Sequence, residues 1–434
     1  MRVLIIGIGS EVEPLGMMYV VGALKNAGHE THLQLIKNQI PFPEVSIEQD
    51  YDFVGFGLLT GFHRHLLRLS QRYREEGIKT IAGGPHATFF PEECLLSADF
   101  VVRGEGINPV LQIIGGKIKP GIVIKSEPIQ NADNIPFPDR EELYKNPSNR
   151  DNPIKNMICS FGCPNSCAYC YNSLYNRMFP GFAVRQRSVD NVIEEARELL
   201  RYPVRTIFFQ DDYFGRKIQW LAEFAEKWPK QIGLAFHPQI RPESATEERL
   251  SLLKKAGCTG INVGIETYDE VYREKMLLRY GSNTQIFAGF KRIKEWDFKF
   301  RVYMMIGLPG RTIEDDLEDV RQNGIVQPNF VRTGVYIPLR DTVLGRQCVD
   351  QGLWSGDDDA FGEMPVFDFS VLNLEPEHKK KVYWLQQISH MVSHLPYGHL
   401  VAGEFLEIEK PSFQDFLRIC RKYSMGEFFG INPS

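Results

Sequence analysis

Four of the eight cysteines lie in one short stretch of the chain, CSFGCPNSCAYCYN at residues 159–172. Cys163, Cys167 and Cys170 have the spacing C-x₃-C-x₂-C. Thiolates are the usual ligands of iron–sulfur clusters, and three of them on a four-iron cluster leave one iron open to a small molecule. A structural zinc site needs four protein ligands. Since the fourth cysteine, Cys159, is expected inside a strand, we favour an iron–sulfur site over a zinc knuckle or ordinary core cysteines.

The composition limits the class of protein. A chain of 434 residues with 43% hydrophobic and 24% charged residues is expected to form two or three globular domains. The formal net charge of −5 argues against a nucleic-acid partner. No apolar run is long enough to span a membrane, and the first residues are too short for a signal peptide. We therefore expect a cytoplasmic protein, in which clustered cysteines are more often metal ligands than disulfides.

The elements that position the cysteines form two alternations of strand and helix. The first contains the predicted strands RVLIIG, THLQLI, FVGFGLL, KTIAGG and FVVRGEG, with helix-like segments between most of them. This order predicts an α/β fold, a Rossmann-like domain whose parallel sheet has helices on both faces and a ligand crevice at the carboxyl ends of its strands. Residues from about 117 to 150 are rich in Pro, Asn and Asp and are interpreted as a linker.

The second alternation predicts a partial (βα)6 barrel. Its six strands are KNMICS, TIFFQ, GLAFHP, GINVGIE, FRVYMMIG and FVRTGVYI, too few for a full eight-fold barrel. The cysteine loop directly follows the first of them. From about residue 352 the pattern becomes helical and aromatic. The predicted domains are therefore residues 1–126, a linker at 127–150, the barrel at 151–350, and a small, mostly helical C-terminal domain at 351–434.

The segment CPNSCAYC resembles the cluster motif of radical S-adenosylmethionine (SAM) enzymes, C-x₃-C-x-aromatic-C, with Tyr169 in the aromatic position. The resemblance implies a [4Fe–4S] cluster whose unique iron chelates the amino and carboxylate groups of SAM. It also implies reductive cleavage of SAM to a 5′-deoxyadenosyl radical, with Tyr169 near the adenine, and a one-electron donor such as flavodoxin or ferredoxin.

The same resemblance implies further SAM contacts at the ends of later strands. Each of these residues also has an ordinary interpretation as a loop aspartate, a strand-end glutamate or a surface ion pair. The implied contacts are Asp211 and Asp212 in FFQDDYFG for the amino group, Glu266 in GIETYDE for the ribose or amino acid part, Gly307, Leu308, Pro309 and Gly310 in MIGLPGRT for the adenine, and Arg241 and Arg301 for the carboxylate.

A parallel-sheet domain ahead of such a barrel resembles the cobalamin-binding class of radical SAM enzymes. Small residues in its loops let the backbone approach a large ligand, and a helix start can face the phosphate of the nucleotide tail. The alternative is a Rossmann-like domain that has lost its cofactor. The implied cobalamin contacts are Leu15 and Gly16, then Leu59, Thr60, Gly61 and Phe62, then Gly83, Gly84, Pro85 and His86 of GGPHAT, and finally Gly104, Glu105 and Gly106 of RGEG.

The cobalt is expected to have no histidine ligand from below. The D-x-H-x-x-G motif of better-known cobalamin proteins is absent from the sequence. His63 and His65 follow the third predicted strand, and imidazole is a suitable ligand type. We nevertheless expect the loop at residues 59–62 to cover the lower face of the cobalt. His86 is expected to be non-catalytic, and the alternative to a cofactor contact is a hydrogen bond from its side chain to the backbone of its own loop.

The leading hypothesis is a cobalamin-dependent radical SAM methyltransferase that acts on an unactivated carbon. Its relatives imply a peptide, protein or small-molecule substrate, for example the side chain of glutamine in methyl-coenzyme M reductase. Tyr336 and Arg340, with Asp341, end the sixth barrel strand and are the candidate catalytic residues at the substrate; a surface ion pair is the alternative for the charged residues.

Two other hypotheses remain open. The same two cofactors could drive a cyclisation or rearrangement without methyl transfer, or the protein could be a non-catalytic iron–sulfur redox sensor. Methylthiolation is disfavoured, because the first domain offers only Cys94 and therefore lacks the ligands of a second cluster.

Overall fold

The computed structural model describes residues 1–10, 12–39, 42–181, 184–357, 361 and 368–428. The chain forms two compact units. The first unit consists of Met1–Pro164, Tyr175–Phe236 and Asp358–Met364, and the second of Asn165–Leu174, His237–Asp357 and Pro365–Ser434. These units are not the predicted domains, whose boundaries stay a prediction.

The first 126 residues form a six-stranded parallel sheet with the order β2-β1-β3-β4-β5-β6. Five of its strands were predicted, and the prediction is confirmed. The interpretation of the residues from 117 onward as linker was wrong for Ile122–Ser126, which pair with the fifth strand. This edge strand is short and only partly buried, so its hydrophobic pattern is weak. The strands are β1 Arg2–Ile8, β2 Glu30–Ile36, β3 Phe53–Gly57, β4 Lys79–Gly83, β5 Phe100–Gly104 and β6 Ile122–Ser126.

Helices cover both faces of this sheet. Alternate residues of β1 enter two separate hydrophobic clusters, Val3 and Ile5 in one and Leu4, Ile6 and Ile8 in the other. This alternation explains why the strand is an almost continuous apolar run. The helices of this part and of the linker are α1 Leu15–Asn26, α2 His63–Glu75, α3 Pro85–Phe89, α4 Pro91–Ser97, α5 Ile107–Ile114, α6 Glu141–Tyr144 and α7 Pro147–Arg150.

The six predicted strands of the second alternation are also confirmed. They are distributed over two sheets, one with the order β11-β10-β7 and one with the order β12-β13-β14-β15, and a short antiparallel pair, β8 with β9, flanks the cysteine loop. The strands are β7 Ile154–Met157, β8 Ser160–Phe161, β9 Arg185–Gln186, β10 Thr206–Phe209, β11 Ala235–His237, β12 Gln239–Ile240, β13 Gly260–Glu266, β14 Lys299–Ile306 and β15 Phe330–Val335.

Helices connect these strands and form the C-terminal part, as predicted. Within the described residues, none of the helices has the length and hydropathy needed to cross a membrane. The helices are α8 Tyr171–Met178, α9 Val189–Leu199, α10 Ile218–Gln231, α11 Glu247–Lys255, α12 Glu270–Lys275, α13 Asn283–Glu295, α14 Ile313–Val326, α15 Val343–Asp350, α16 Pro376–Val392, α17 Gly398–Leu406 and α18 Phe413–Phe428.

Candidate functional site

The cysteine loop lies between β8 and α8 and is held by backbone hydrogen bonds. Ala168 donates its N–H to the carbonyl of Leu277 (2.8 Å) and accepts from the N–H of Leu344 (2.9 Å). Cys167 and Cys170, the two predicted ligands that belong to the second unit, flank this anchored residue. Two later segments of the chain, at Leu277 and Leu344, therefore fix the part of the loop that carries these two thiols.

The thiols of the motif differ in burial. Cys159 is fully buried. Burial, and to a smaller extent the nearby Asp211 carboxylate, raises the pKa of its thiol well above the usual range. Cys159 lies between β7 and β8 and not inside a strand as expected, and its exclusion from the ligand set stays a prediction. Within the described residues no cysteine forms a disulfide. Cys163, Cys167 and Cys170 stay the predicted three-thiol donor set, whose chemistry fits a [4Fe–4S] cluster with one open iron.

Tyr169, the aromatic residue of the motif, lies beside two charged side chains of the second unit. Its hydroxyl donates a hydrogen bond to Glu266. Burial raises the pKa of the Glu266 carboxyl, although Arg279 opposes this effect. Glu266 has a φ of 70° at the end of β13, a conformation that a residue other than glycine adopts only when its surroundings require it. The structure thus turns the carboxylate toward Tyr169.

Arg279 is the functional candidate that the sequence analysis missed. Its side chain is buried, donates to the carbonyl of Gly264 and lies near Tyr169, Glu266 and Cys167. Arg279 belongs to the irregular segment LLRYGSN, which has no motif or period, so nothing local marks it. A buried guanidinium next to the cysteine loop can bind a carboxylate or stabilise an anionic cluster.

The two arginines predicted for the SAM carboxylate lie in different surroundings. Arg241 donates from Nη1 to the side chain of Asn165 (3.0 Å), a residue of the cysteine motif, and from Nη2 to the carbonyl of Tyr280 (2.6 Å). Arg301 lies near the start of β14 and stacks on the ring of Phe330 at 5.0 Å. Arg241 is therefore associated with the cysteine loop, and Arg301 packs on a neighbouring strand.

Asp211 ties the end of β10 to the chain ahead of the cysteine motif. Its carboxylate accepts from the N–H of Cys159 (3.0 Å) and the hydroxyl of Ser160 (2.6 Å). Burial raises its pKa to about 6. Asp212 is exposed. The proposed contact of both with the SAM amino group stays a prediction, while the geometry gives Asp211 a definite part in shaping the segment.

The GLPG segment after β14 is held from two sides. Gly307 has a φ of 64° and donates its N–H to Asp316 in the first turn of α14 (2.9 Å). Leu308 is buried, and the carbonyl of Pro309 accepts from the Tyr272 hydroxyl (2.7 Å). The backbone is thus rigidly placed, as a surface for the adenine would require.

The predicted cobalamin loops follow the carboxyl ends of β1, β3 and β4. The strand order reverses between β1 and β3, which is the position where such sheets bind ligands. A Cβ atom added to Gly16 or to Gly83 would meet nothing within 4 Å, and Leu59 is 46% exposed although it is apolar. Glycines that face open space and an exposed leucine fit a large, partly apolar ligand such as cobalamin.

The loop at residues 59–62 is held by two stacked histidines. His63 accepts at Nδ1 from the N–H of Gly61 (3.2 Å), and Nδ1 of His86 is 3.1 Å from the Thr60 hydroxyl. The two rings stack with their centroids 3.8 Å apart. Burial, and to a smaller extent the neighbouring His86, lowers the pKa of His63 to about 4. His65 stacks on Phe42. His63 and His86 therefore support the loop, and an absent histidine ligand to cobalt stays a prediction.

The RGEG segment packs inside the first unit. Gly104 has a φ of 93° and donates to the Thr88 hydroxyl (3.1 Å). The Glu105 carboxylate pairs with Arg185 and accepts from the N–H of Ile129 (2.8 Å). Glu105 thus fastens the end of β5 to the linker and to β9, and its contact with a nucleotide tail stays a prediction.

The two candidate catalytic residues after β15 are placed differently. Tyr336 is 1% exposed and lies beside Cys348 of α15, and burial raises its pKa far above the usual range. Arg340 is exposed and donates from Nε to the carbonyl of Gly356 (2.7 Å). Tyr336 is thus enclosed while Arg340 lies at the surface, and the catalytic role of both stays a prediction.

Comparisons with known proteins identify two domains in the chain. The family model of the radical SAM superfamily matches residues 157–322, and the model of the B12 binding domain matches residues 1–114. The chain is therefore a radical SAM protein with an N-terminal B12-binding domain, the domain pair of cobalamin-dependent radical SAM enzymes. Its cofactors are accordingly a [4Fe–4S] cluster, SAM and cobalamin.

Three relatives share part of this sequence. The chain is 26% identical over 288 residues to the uncharacterized methyltransferase PH0819 of Pyrococcus horikoshii, with 60% of the chain and 62% of that protein covered. It is 21% identical over 433 residues to cytidylyl-2-hydroxyethylphosphonate methyltransferase of Streptomyces wedmorensis, with 78% of each covered. It is 26% identical over 242 residues to bacteriochlorophyllide d C-12(1)-methyltransferase of Chlorobaculum tepidum, with 51% of the chain and 50% of that protein covered.

Two solved structures share the fold. The radical SAM methyltransferase TsrM from Kitasatospora setae, bound to tryptophan and a SAM analogue, has a TM-score of 0.62 and 17% identity, with 81% of the chain and 76% of TsrM covered. The cobalamin-dependent enzyme OxsB with aqua-cobalamin and SAM has a TM-score of 0.68 and 14% identity, with 99% of the chain and 75% of OxsB covered. Both similarities support the predicted order of the B12-binding and radical SAM folds.

Proposed function

We propose that the protein is a cobalamin-dependent radical SAM methyltransferase, which transfers a methyl group to an unactivated carbon. The observation that carries the proposal is the combination of a loop with three cysteines and a B12-binding sheet whose switch point is followed by unobstructed glycines. The three relatives described above are all named as methyltransferases, which supports methyl transfer over a rearrangement.

The cofactors supply the difficult chemistry. When bound, the reduced cluster provides the electron that splits SAM into methionine and a 5′-deoxyadenosyl radical, and cobalamin carries the methyl group that the acceptor carbon receives. A one-electron donor such as flavodoxin or ferredoxin is part of this proposal.

The residues of the chain bind and orient SAM. Glu266 and Arg279 present opposite charges beside Tyr169, so they can pair with the amino and carboxylate groups of the methionine part. The rigid backbone of Gly307 and Pro309 is proposed to line the adenine. Burial of these groups keeps water away and strengthens each of the contacts.

The methyl acceptor is the finer part of the proposal. We propose as acceptor a peptide, a protein or a small molecule, for example the side chain of glutamine in methyl-coenzyme M reductase. Tyr336 and Arg340 are proposed to contact the acceptor, since both follow β15 at the carboxyl end of the strand.

An anaerobic labelling experiment tests the function. The reconstituted protein is incubated with reductant and SAM that carries a CD₃ group, and the products are analysed by mass spectrometry. We expect CD₃-cobalamin, 5′-deoxyadenosine and, with an acceptor, a product heavier by one CD₃ group less one hydrogen. An acceptor product without the label would establish a rearrangement instead. An absence of 5′-deoxyadenosine would contradict the proposal that the protein is a radical SAM enzyme.

A further inference from the structure

A buried network of charged side chains surrounds Glu13, in the loop between β1 and α1. The side chains of Arg140, Arg187 and Glu195 are at most 3% exposed, and that of Glu13 is 10% exposed. Two arginines and two glutamates balance in charge, which burial requires. Arg140 belongs to the predicted linker, a segment for which the sequence indicated no such role.

The side-chain carboxylate of Glu13 accepts three hydrogen bonds from two different parts of the chain. Arg140 donates from Nη1 (2.7 Å) and Tyr144 from its hydroxyl (2.7 Å), and both belong to the linker. The backbone N–H of Asn156, inside β7, donates the third (3.0 Å). Glu13 is two residues from Leu15, where the first cobalamin-binding loop is expected, so these bonds join that loop to the first barrel strand.

The rest of the network extends the attachment along β7. Arg140 donates from Nη2 to the carbonyl of Asn156 (2.8 Å) and to Glu195 of α9 (2.8 Å). Arg187 pairs with Glu195 and donates to the carbonyl of Ile158 (2.9 Å). The strand fixed in this way leads through Cys159 to Cys163, the first cluster ligand.

The linker is also attached to the sheet domain at a second place that does not include the loop. Glu142 is buried and binds Lys25 at the end of α1 (3.2 Å) and Lys145 (2.8 Å). Glu142 has no contact with Glu13 or β7 among the interactions of the described residues. Attachment of the linker as such therefore does not require Glu13, whose contacts instead determine where the loop lies against β7.

We propose that Glu13 is a positioning residue that fixes the first cobalamin-binding loop against β7, and thereby fixes the position of cobalt relative to the strand end that carries Cys163. The inference rests on the proposed function. A methyl group must pass from the SAM sulfur to cobalt, where the S–C bond breaks and the Co–C bond forms with both electrons of Co(I), leaving S-adenosylhomocysteine. Such a transfer depends steeply on the approach of the two atoms, and a misplacement of about 1 Å can cost on the order of 10²-fold in rate.

The test uses the holoenzyme reconstituted with cluster and cobalamin, in the variants Glu13→Ala, Glu13→Gln and Glu142→Ala. Two quantities are measured: the rate at which SAM methylates cob(I)alamin, and the distance distribution between cob(II)alamin and the reduced cluster by pulsed electron paramagnetic resonance. We expect Glu13→Ala to keep its iron and cobalt, to broaden the distance distribution and to slow methylation on the order of 10²-fold.

The other variants separate positioning from general stability. Glu13→Gln should recover most of the rate, because its amide oxygen still accepts from Arg140 and Asn156. Glu142→Ala should stay within about twofold of the wild type. A wild-type rate and distance distribution in Glu13→Ala, or an equal loss in Glu142→Ala, would overturn the proposal.

A further variant covers the case in which Glu13→Ala loses a cofactor. Tyr144→Phe removes one bond to Glu13, and we expect a severalfold slower methylation with both cofactors bound; an unchanged rate would then overturn the proposal. If the wild type itself binds no cobalamin, the proposed function fails. If the wild type methylates cobalamin and the Glu13 variants do so at the same rate, only the positioning role of Glu13 fails.

Discussion

At the scale of single residues, spacing separates three cysteines of the motif from the fourth. Cys159 lies four positions before Cys163 and is fully buried, and burial together with Asp211 raises the pKa of its thiol. The C-x₃-C-x₂-C spacing was sufficient to predict three cluster ligands from the sequence, and this assignment stays a prediction. Arg279 and Glu13 could not be found in that way, because their partners are distant in the chain and only the folded structure brings them together.

Replacement of Cys167 by alanine tests the assignment of the cluster ligands. We expect the iron content after reconstitution to fall from about four per chain to near zero, since two thiolates do not retain such a cluster. Iron and sulfide analysis of the purified protein measures the effect. Cys159→Ala is the matched control and should bind the full amount of iron; loss of iron from this control would show that the fourth cysteine is a ligand.

Asp316 predicts a pH dependence of stability. Burial raises its pKa from the ordinary value of 3.8 to about 7, so the folded protein holds a proton that the unfolded chain releases above about pH 4. The contribution of this group to the free energy of unfolding is therefore greatest below about pH 4 and is lost as the pH rises through about 7.

Denaturant unfolding at pH 5 and pH 8 measures this contribution. Between pH 5 and pH 8 we expect the free energy of unfolding to fall by roughly 2 kcal/mol more in the wild type than in Asp316→Asn. Asp315→Asn is the control on the same helix. Burial opposes ionisation of Asp315, but hydrogen bonds from Thr312 outweigh it and lower the pKa of this carboxyl. Asp315→Asn should therefore change the free energy of unfolding by the same amount at both pH values. Equal pH dependence in the wild type and Asp316→Asn would refute the assignment.

At the scale of elements, the periodicity of the chain predicted nearly all of the strands that position the sites. Buried parallel strands such as β1 give continuous apolar runs, which are easily recognised. The edge strand β6 was missed because only one of its residues is buried. The loops are less predictable: GGPHAT indicates close backbone approach, but it does not reveal that His63 and His86 stack beneath the loop at 59–62.

Gly84 shows how one such loop is constrained. Its φ is 94°, and an added Cβ would lie 2.8 Å from the carbonyl oxygen of Leu58. We expect Gly84→Ala to destabilise the protein by about 1–3 kcal/mol and to weaken cobalamin binding, because Leu58 leads into the loop at 59–62.

The comparison with Gly77 separates these two effects. Gly77 has a φ of 80°, and an added Cβ would meet nothing within 4 Å, so Gly77→Ala carries only the conformational cost. Unfolding curves and cobalamin titrations of the two variants are the measurements. Equal cobalamin affinity in both variants would show that the contact of Gly84 with Leu58 does not shape the crevice.

At the scale of the whole molecule, two cofactor sites belong to one chain, and the order of the B12-binding and radical SAM domains could be predicted from motifs alone. The division into compact units could not, because the unit boundary passes through the cysteine loop between Cys163 and Cys167. A single stretch of sequence, contiguous and regular in its spacing, thus belongs partly to each unit.

The metal content of the reconstituted protein tests the central claim most directly. The protein is incubated anaerobically with iron, sulfide and hydroxocobalamin, freed of unbound cofactor, and analysed for iron and cobalt together with its visible spectrum. We predict about four irons and about one cobalt per chain. Four irons without cobalt would contradict the account and leave a radical SAM protein whose first domain no longer binds its cofactor.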